Sequence, residues 1–400
     1  MTSRGGEWRS RLLLATFSTA LALGLSEFAA RLLLAPVAAP VVGTPISELS
    51  PTLGWRTRPG GAQRVRREDF DVAIAINRMG LRGPEVPYEA KAGVRRLALL
   101  GDSFAHGYYA NEPETLRGRL GAAFRACRVD VLNAGSPGYS TDQEWLYFDE
   151  EIWKFRPAEV VLLFYYNDLQ FNIERVGTAN REKPVFLERD GALELVAPAR
   201  APAVDGLDPA GGSEVRPGAP RFKGSALWAF VAARLQRSRP DWSRSLAHAG
   251  LVPDLSDQPP AEYLPFAPKD ARENVLVEEM WKRTTTILRM FRDDVRQRGA
   301  GFSVFYVPAR FEVNDEAWAF VQRRYEPDRR WNRDAVRARL GGILVGLDVP
   351  MIDATAAFEA AEKSDRPAYL SVDGHWNARG NEIAFESLLP VMRRSFDCAA

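Results

Sequence analysis

The stretch AEVVLLFYYND (158–168) runs through a block of apolar residues into an Asn-Asp pair. The block does not alternate, so a strand built from it must be covered on both faces. That requirement selects layered α/β architectures over sheets with one wet face. The flanking segments agree. RRLALLGDS (95–103) and VDVLNAG (129–135) read as further strands, and helices are expected over 114–127 and 141–155. Thr141 and Asp142 supply capping side chains for the second of these helices. After a long interruption the rhythm resumes with a helix over 281–299, strands over 301–309 and 349–355, and a helix over 377–396. Five apolar strands separated by helices predict a doubly wound parallel sheet.

The interruption, residues 170–280, is expected to be an insertion or lid. Its segment LVAPARAPAVDGLDPAGGSEVRPGAP (195–220) is too rich in Pro, Gly and Ala for anything but loop. The sheet-forming parts are then 95–169 and 281–400. Residues 44–94 read as an extension. Within it, 44–70 are expected to be an irregular linker, DVAIAIN (71–77) a strand, and RMGLRGPEVP (78–87) turns.

Residues 1–43 differ in character. Arg4, Arg9 and Arg11 precede an uncharged apolar run, Leu12 to Ser26. Glu27 and Arg31 follow with the spacing of a helical ion pair, and Leu32 to Val42 is apolar again. Basic residues ahead of an apolar run direct export. An uncleaved, single-pass signal anchor is expected in the cytoplasmic membrane, with the rest of the chain periplasmic or extracellular. Secretion after signal cleavage is the alternative.

A formal net charge of +1 gives no reason to expect nucleic acid as a partner. The chain has three histidines, His106, His248 and His375, and two distant cysteines, with no C-x-x-C or H-E-x-x-H spacing. No metal or cofactor is expected. The histidine count also narrows any His-dependent chemistry to three positions.

In a doubly wound sheet, ligands meet the carboxyl ends of the strands. Ser103 follows the first strand, NAGSPGYST the second, Asn167 and Asp168 the third, and SVDGHWNARG precedes the last helix. Taken singly these are ordinary turn and cap residues. Asp102 is expected to cap the next helix, His106 to be a neighbour of Ser103, and Gly135 and Pro137 to shape their loop. Together they supply what serine acyl transfer needs: a nucleophile, a base, a carboxylate to orient it and donors for an oxyanion.

These four blocks, in this order, resemble the SGNH hydrolase (GDSL-type esterase) superfamily. The resemblance covers 70–168 and 300–396. It implies a flavodoxin-like strand order. It also implies a triad of Ser103, His375 and Asp373, with an oxyanion hole from the Ser103 and Gly138 N–H groups and the Asn167 amide. Two positions depart from the pattern. Tyr165 stands where the third block has glycine, and only Gly374 separates Asp373 from His375. The short spacing leaves Asp168 or a backbone carbonyl as alternative partners for the imidazole. The leading apolar segment and LGWRTRPG (53–60) also resemble a membrane-anchored bacterial branch of the superfamily.

The function implied is an envelope-anchored serine esterase acting on an O-acyl, chiefly O-acetyl, group of a carbohydrate or another small ester. The alternatives are an O-acetyltransferase using the same residues and a non-catalytic glycan-binding or assembly protein on the same scaffold. Tyr108, Tyr109, Trp228, Trp242 and Tyr263 are expected to pack against the sheet, with sugar platforms as the alternative. In a flavodoxin-like order the first and last helices lie side by side on one face. Cys127 and Cys398 then emerge at the same edge, and an oxidising compartment would join them. Two unpaired thiols are the alternative.

Overall fold

A computed structural model describes residues 4–33, 42–67, 69–178, 181–189, 192–198, 225, 227–228, 230–231, 234, 259–325 and 329–398. The chain divides into two units, one of residues 1–38 and 215–258 and the other of 39–214 and 259–400. In the first, helix α1 (Arg4–Leu33) contains a window, Arg11–Ala30, long and apolar enough to cross a membrane. Glu27 accepts hydrogen bonds from Ser225 Oγ at 2.7 Å and Leu227 N at 3.1 Å. The Arg31 side chain, expected to pair with Glu27, lies outside the described residues, as does Trp242.

The second unit is built on five parallel strands: β6 (Arg95–Gly101), β7 (Val129–Gly135), β8 (Glu159–Phe164), β11 (Gly301–Tyr306) and β12 (Met351–Asp353). Their order is β12-β11-β8-β6-β7, the flavodoxin-like arrangement. The register aligns Gly101 with Gly135 and with Leu163, so three strands finish along one rim. Both faces are covered. Leu97 and Leu99 of β6 enter one core with Leu116, Leu120, Phe358 and Ile383. Ala98 and Leu100 enter the other with Phe148, Trp281, Ile287 and Phe291. Burial of each large apolar side chain stabilises the fold by roughly 1.5–3 kcal/mol.

The helices are α2 (Ser103–His106), α3 (Leu116–Ala123), α4 (Thr141–Glu150), α5 (Asp168–Phe171), α6 (Ala271–Gln297), α7 (Arg310–Val313), α8 (Asp315–Arg324), α9 (Ala335–Gly346), α10 (Thr355–Glu362) and α11 (Ala378–Ser395). The helix expected over 281–299 begins earlier, at Ala271, because Asp270 caps it by accepting from Glu273 N at 2.9 Å. The helix expected over 141–155 stops at Glu150, and a 3-10 turn, Ile152–Phe155, carries the chain onward.

Residues 44–70 differ most from the sequence expectation of an irregular linker. They form part of two small antiparallel sheets. One pairs β1 (Val42–Thr44), β4 (Ala62–Arg66) and β5 (Asp71–Ala75), and the other pairs β2 (Ser47–Ser50) with β3 (Gly54–Thr57). Pro and Gly fall at the bends between strands, while β4 and β5 both alternate exposed and buried residues. In the insertion, β9 (Val185–Arg189) and β10 (Ala192–Val196) form a hairpin. The loop expected over 195–220 lies outside the described residues beyond 198.

The fold buries several ionisable groups. Lys183 Nζ and Asp142 form an ion pair with neither side chain exposed. The ammonium also donates to Phe171 O and Pro184 O, while the carboxylate accepts from Ser140 Oγ and Gln143 N. Every proton of the charge is thus used, as a buried pair requires. Glu312, just after β11, accepts from Tyr306 Oη and Ala309 N. Burial still pushes its carboxyl up to about 8.

The two cysteines are joined as a Cys127–Cys398 disulfide with Cα atoms 5.7 Å apart. The reason is the one the topology gives: α3 and α11 pack on the same face, with Phe124 and Phe396 ring centroids 5.8 Å apart. Mass spectrometry of a non-reduced digest of protein exported to the periplasm should therefore recover the two cysteine peptides linked. Glu312 makes a second prediction. Its folded value of about 8 lies above the ordinary carboxylate range. The folded state then holds a proton that the unfolded state has lost, so this group's contribution falls as pH rises from about 4.5 to about 8. Urea midpoints measured across that range should decline less steeply for Glu312→Gln than for the wild type.

Candidate active site

Gly101 ends β6 and Asp102 turns the chain into α2, so Ser103 occupies the first helical position at the rim of the sheet. Asp102 does what the sequence suggests, accepting the Phe104 N–H at 2.8 Å. Burial pushes its carboxyl up to about 6. β7 ends beside α2 at Gly135, where a Cβ would lie 2.2 Å from His106 N. Only glycine permits that approach.

Ser103 Oγ lies 2.8 Å from His375 Nε2. On the other side of the ring, His375 Nδ1 is hydrogen-bonded to Asp373 Oδ1. The single spacer, Gly374, makes this possible by adopting φ +82°. Asp168, the alternative partner for the imidazole, is occupied elsewhere: its Oδ2 accepts from Thr141 Oγ1 at 3.1 Å and Tyr165 N at 3.4 Å. Asp168 and Glu144 are both buried, and burial pushes both carboxyls up, with the charge of Asp102 adding to the rise at Asp168 and that of Asp168 to the rise at Glu144.

The imidazole is also stacked between two rings. Phe104 lies 4.6 Å from it at 28°, and Tyr109 lies 4.2 Å from it at 27°. Tyr165 packs against Phe104 at a tilt of 50°, with centroids 4.7 Å apart. The tyrosine that replaces the expected glycine therefore packs the ring that packs the histidine. Arg82 holds the turn carrying Tyr109. It is buried and donates to the carbonyls of His106, Gly107 and Ala110.

Gly138 and Asn167 line the same cleft, of about 290 Å³, as Ser103, Asp373 and His375. Among the described residues, the Asn167 side-chain oxygen has no hydrogen-bond partner. All five residues proposed from the sequence are thus brought together. His106 is not. Its ring is fully buried, without a partner among the described residues for either nitrogen, and it does not line the cleft. Burial among apolar groups beside Arg82 holds its basicity well below the usual range.

Tyr108, Tyr109 and Tyr263 do reach the cleft, so the expectation of pure packing holds only in part. The sequence reading missed Glu262, Arg310 and Phe311, which also line the cleft. Glu262 is pushed up to about 7 by burial and by the neighbouring Glu174. No spacing signal marks these residues, because they come from the end of the insertion and from α7. A larger cleft, about 490 Å³, lies between the β2–β3 hairpin and α4 and contains none of the four blocks.

No curated protein sequence matches the chain significantly. Among solved structures, it is similar to a lipase/acylhydrolase from Enterococcus faecalis, with 14% identity over 75% of this chain and 96% of that one, at a TM-score of 0.37. A catalytic mutant of an acetylxylan esterase from Geobacillus stearothermophilus shares 12% identity over 78% and 96%, at 0.36. A GDSL-like lipase from Bacteroides thetaiotaomicron shares 11% over 78% and 93%, at 0.34. Residues 266–399 match the model of the SGNH hydrolase-like domain described for the acetyltransferase AlgX. That stretch holds Asp373 and His375 and the last two strands of the sheet, and the fold brings its His375 against Ser103, which lies outside the matched residues.

Proposed function

We propose that the protein is a serine esterase that removes a small acyl group, chiefly acetyl, from a carbohydrate hydroxyl through an acyl-serine intermediate. The observation that carries the reading is the chain of contacts from Ser103 Oγ through the His375 ring to Asp373. Ser103 Oγ attacks the ester carbonyl while His375 Nε2 takes its proton. Asp373 orients the ring through Nδ1–H and stabilises the imidazolium. The negative oxygen of the tetrahedral intermediate is held by the Ser103 and Gly138 N–H groups and the Asn167 amide. His375 then returns the proton to the leaving alcohol. Water, deprotonated by the same nitrogen, cleaves the acyl-serine and regenerates the hydroxyl. The tyrosine-lined wall and the Glu262 carboxyl suit a hydroxyl-rich alcohol portion.

A second reading has a specific support. The matching family model is described for an acetyltransferase. In that reading a sugar hydroxyl takes the place of water in the second half-reaction, and no residue need change. For location, we infer that α1 anchors the protein and that the catalytic unit lies outside the cytoplasmic membrane. The apolar window Arg11–Ala30 supports an anchor and a signal sequence alike.

Purified protein supplied with p-nitrophenyl acetate, with and without an oligosaccharide acceptor, separates these readings. Hydrolysis alone supports the esterase, acetylated acceptor supports the transferase, and neither product supports a non-catalytic scaffold. Ser103→Ala and Asp373→Asn should each lower kcat by about 10⁴-fold or more. Asn167→Ala should lower kcat about a hundredfold with little change in KM, and an effect on KM alone would assign Asn167 to substrate binding. Deletion of residues 1–43 should move an active protein from the membrane to the soluble fraction. Expression of the full-length sequence that yields soluble protein with a trimmed N-terminus would mean a cleaved signal instead.

A further inference from the structure

The β2–β3 hairpin lies outside the parallel sheet and outside 266–399, yet it reaches the loop that carries Gly138. Trp55 of β3 is 1% exposed. Its indole Nε1–H donates to Pro137 O at 3.0 Å. In return, Tyr139 Oη donates to Trp55 O at 2.5 Å. The two rings meet edge to face with centroids 5.7 Å apart. The hairpin therefore grips the residues on either side of Gly138.

The residue gripped gives the contact its meaning. Ser136 to Tyr139 form a turn closed by Tyr139 N–H to Ser136 O at 3.1 Å. Proline stands at its second position and Gly138, with φ +80°, at its third, which defines a type II turn. Such a turn converts to type I when its central peptide rotates by about half a turn, because the two types differ chiefly in that peptide's orientation. The central peptide here is Pro137–Gly138. Its two ends are the Pro137 carbonyl, held by Trp55, and the Gly138 N–H, the oxyanion donor of the proposed mechanism. A trans peptide is planar, with C=O and N–H pointing in opposite directions. Holding the oxygen on the hairpin side aims the N–H away from the hairpin. From the insertion, Thr178 Oγ1 hydrogen-bonds Gly138 O at 3.4 Å, and Arg181 places its guanidinium over the Trp55 ring at 5.6 Å.

We propose that Trp55 is a positioning residue for catalysis: by binding the Pro137 carbonyl it keeps the 136–139 turn in its type II state and so holds the Gly138 N–H in the oxyanion hole. The inference rests on the esterase or transferase reading of the site. It gives the LGWRTRPG segment a role distinct from membrane attachment, and it makes the N-terminal extension part of the catalytic apparatus.

The test is Trp55→Phe in the full-length protein, which keeps an aromatic ring and removes the donor. The expected result with p-nitrophenyl acetate is a kcat lower by about tenfold to a hundredfold, since one oxyanion donor is misaimed, with KM within about twofold and the thermal midpoint little changed. Tyr139→Phe, which loosens the grip from the other side, should lower kcat less. It replaces the first variant if that one does not fold. A kcat equal to that of the wild type in the folded variant, or a loss that appears wholly in KM, overturns the proposal. A wild-type protein without Ser103-dependent turnover overturns the reading of the site and the clamp with it. An active wild type matched by its variant overturns the clamp alone.

Discussion

Ser103 and His375 are 272 residues apart in sequence and 2.8 Å apart in space. Neither lies in a regular strand, so their meeting depends on the sheet between them. Hydrogen bonding of β6 to β7 and β8 fixes where the Ser103 turn lies along the rim. Packing of α11 against α3 on one face fixes where the His375 loop must end. Asn377 closes the arrangement by capping α11, with its side chain accepting from Arg379 N and Gly380 N. The geometry at the serine is thus a consequence of core packing. A slip of one strand by a single residue would reverse every side chain on it and remove the site.

His375 is held by more than its contacts with Ser103 and Asp373. A single intervening glycine brings Asp373 and His375 very close along the chain, and φ +82° at Gly374 turns one toward the other. The stacked Phe104 and Tyr109 rings then fix the plane of the imidazole. Both rings belong to the segment that carries Ser103. One short stretch of chain therefore supplies both Ser103 and the rings that flank His375. Behind this layer, Arg82 ties the turn from 106 to 110 to the N-terminal extension by three backbone carbonyls.

The extension and the insertion both act on the rim, though neither contributes a strand to the main sheet. The extension supplies Arg82 and the β2–β3 hairpin. The insertion supplies Lys183, whose buried pairing with Asp142 anchors the start of α4, and its end supplies Glu262 to the lining of the cleft. The carboxyls of Asp102, Glu144, Asp168 and Glu262 are all raised by burial. This part of the molecule gives up stability to place polar groups near the cleft, as functional sites commonly do.

The sequence by itself determined the sheet and the four blocks on its rim. An apolar run such as VVLLF, once it is a strand, must be covered on both faces, and the residues that end such strands are fixed by chain connectivity. The order of the blocks then carried Ser103, Gly138, Asn167, Asp373 and His375 to one edge, and the same topology anticipated the Cys127–Cys398 bond. Tertiary structure alone decided what depends on distant segments meeting. The Pro- and Gly-rich residues 44–70 look irregular because their strands are short and become ordered only by pairing with one another. His106, three positions from Ser103, is buried because α2 is a single turn packed against β7. Glu262 and Arg310 have no local pattern at all, and the segment around Trp55 carries no sign of its contact with Pro137. Their places follow from which surfaces the finished sheet left open, and that is a property of packing, which no single stretch of the chain encodes.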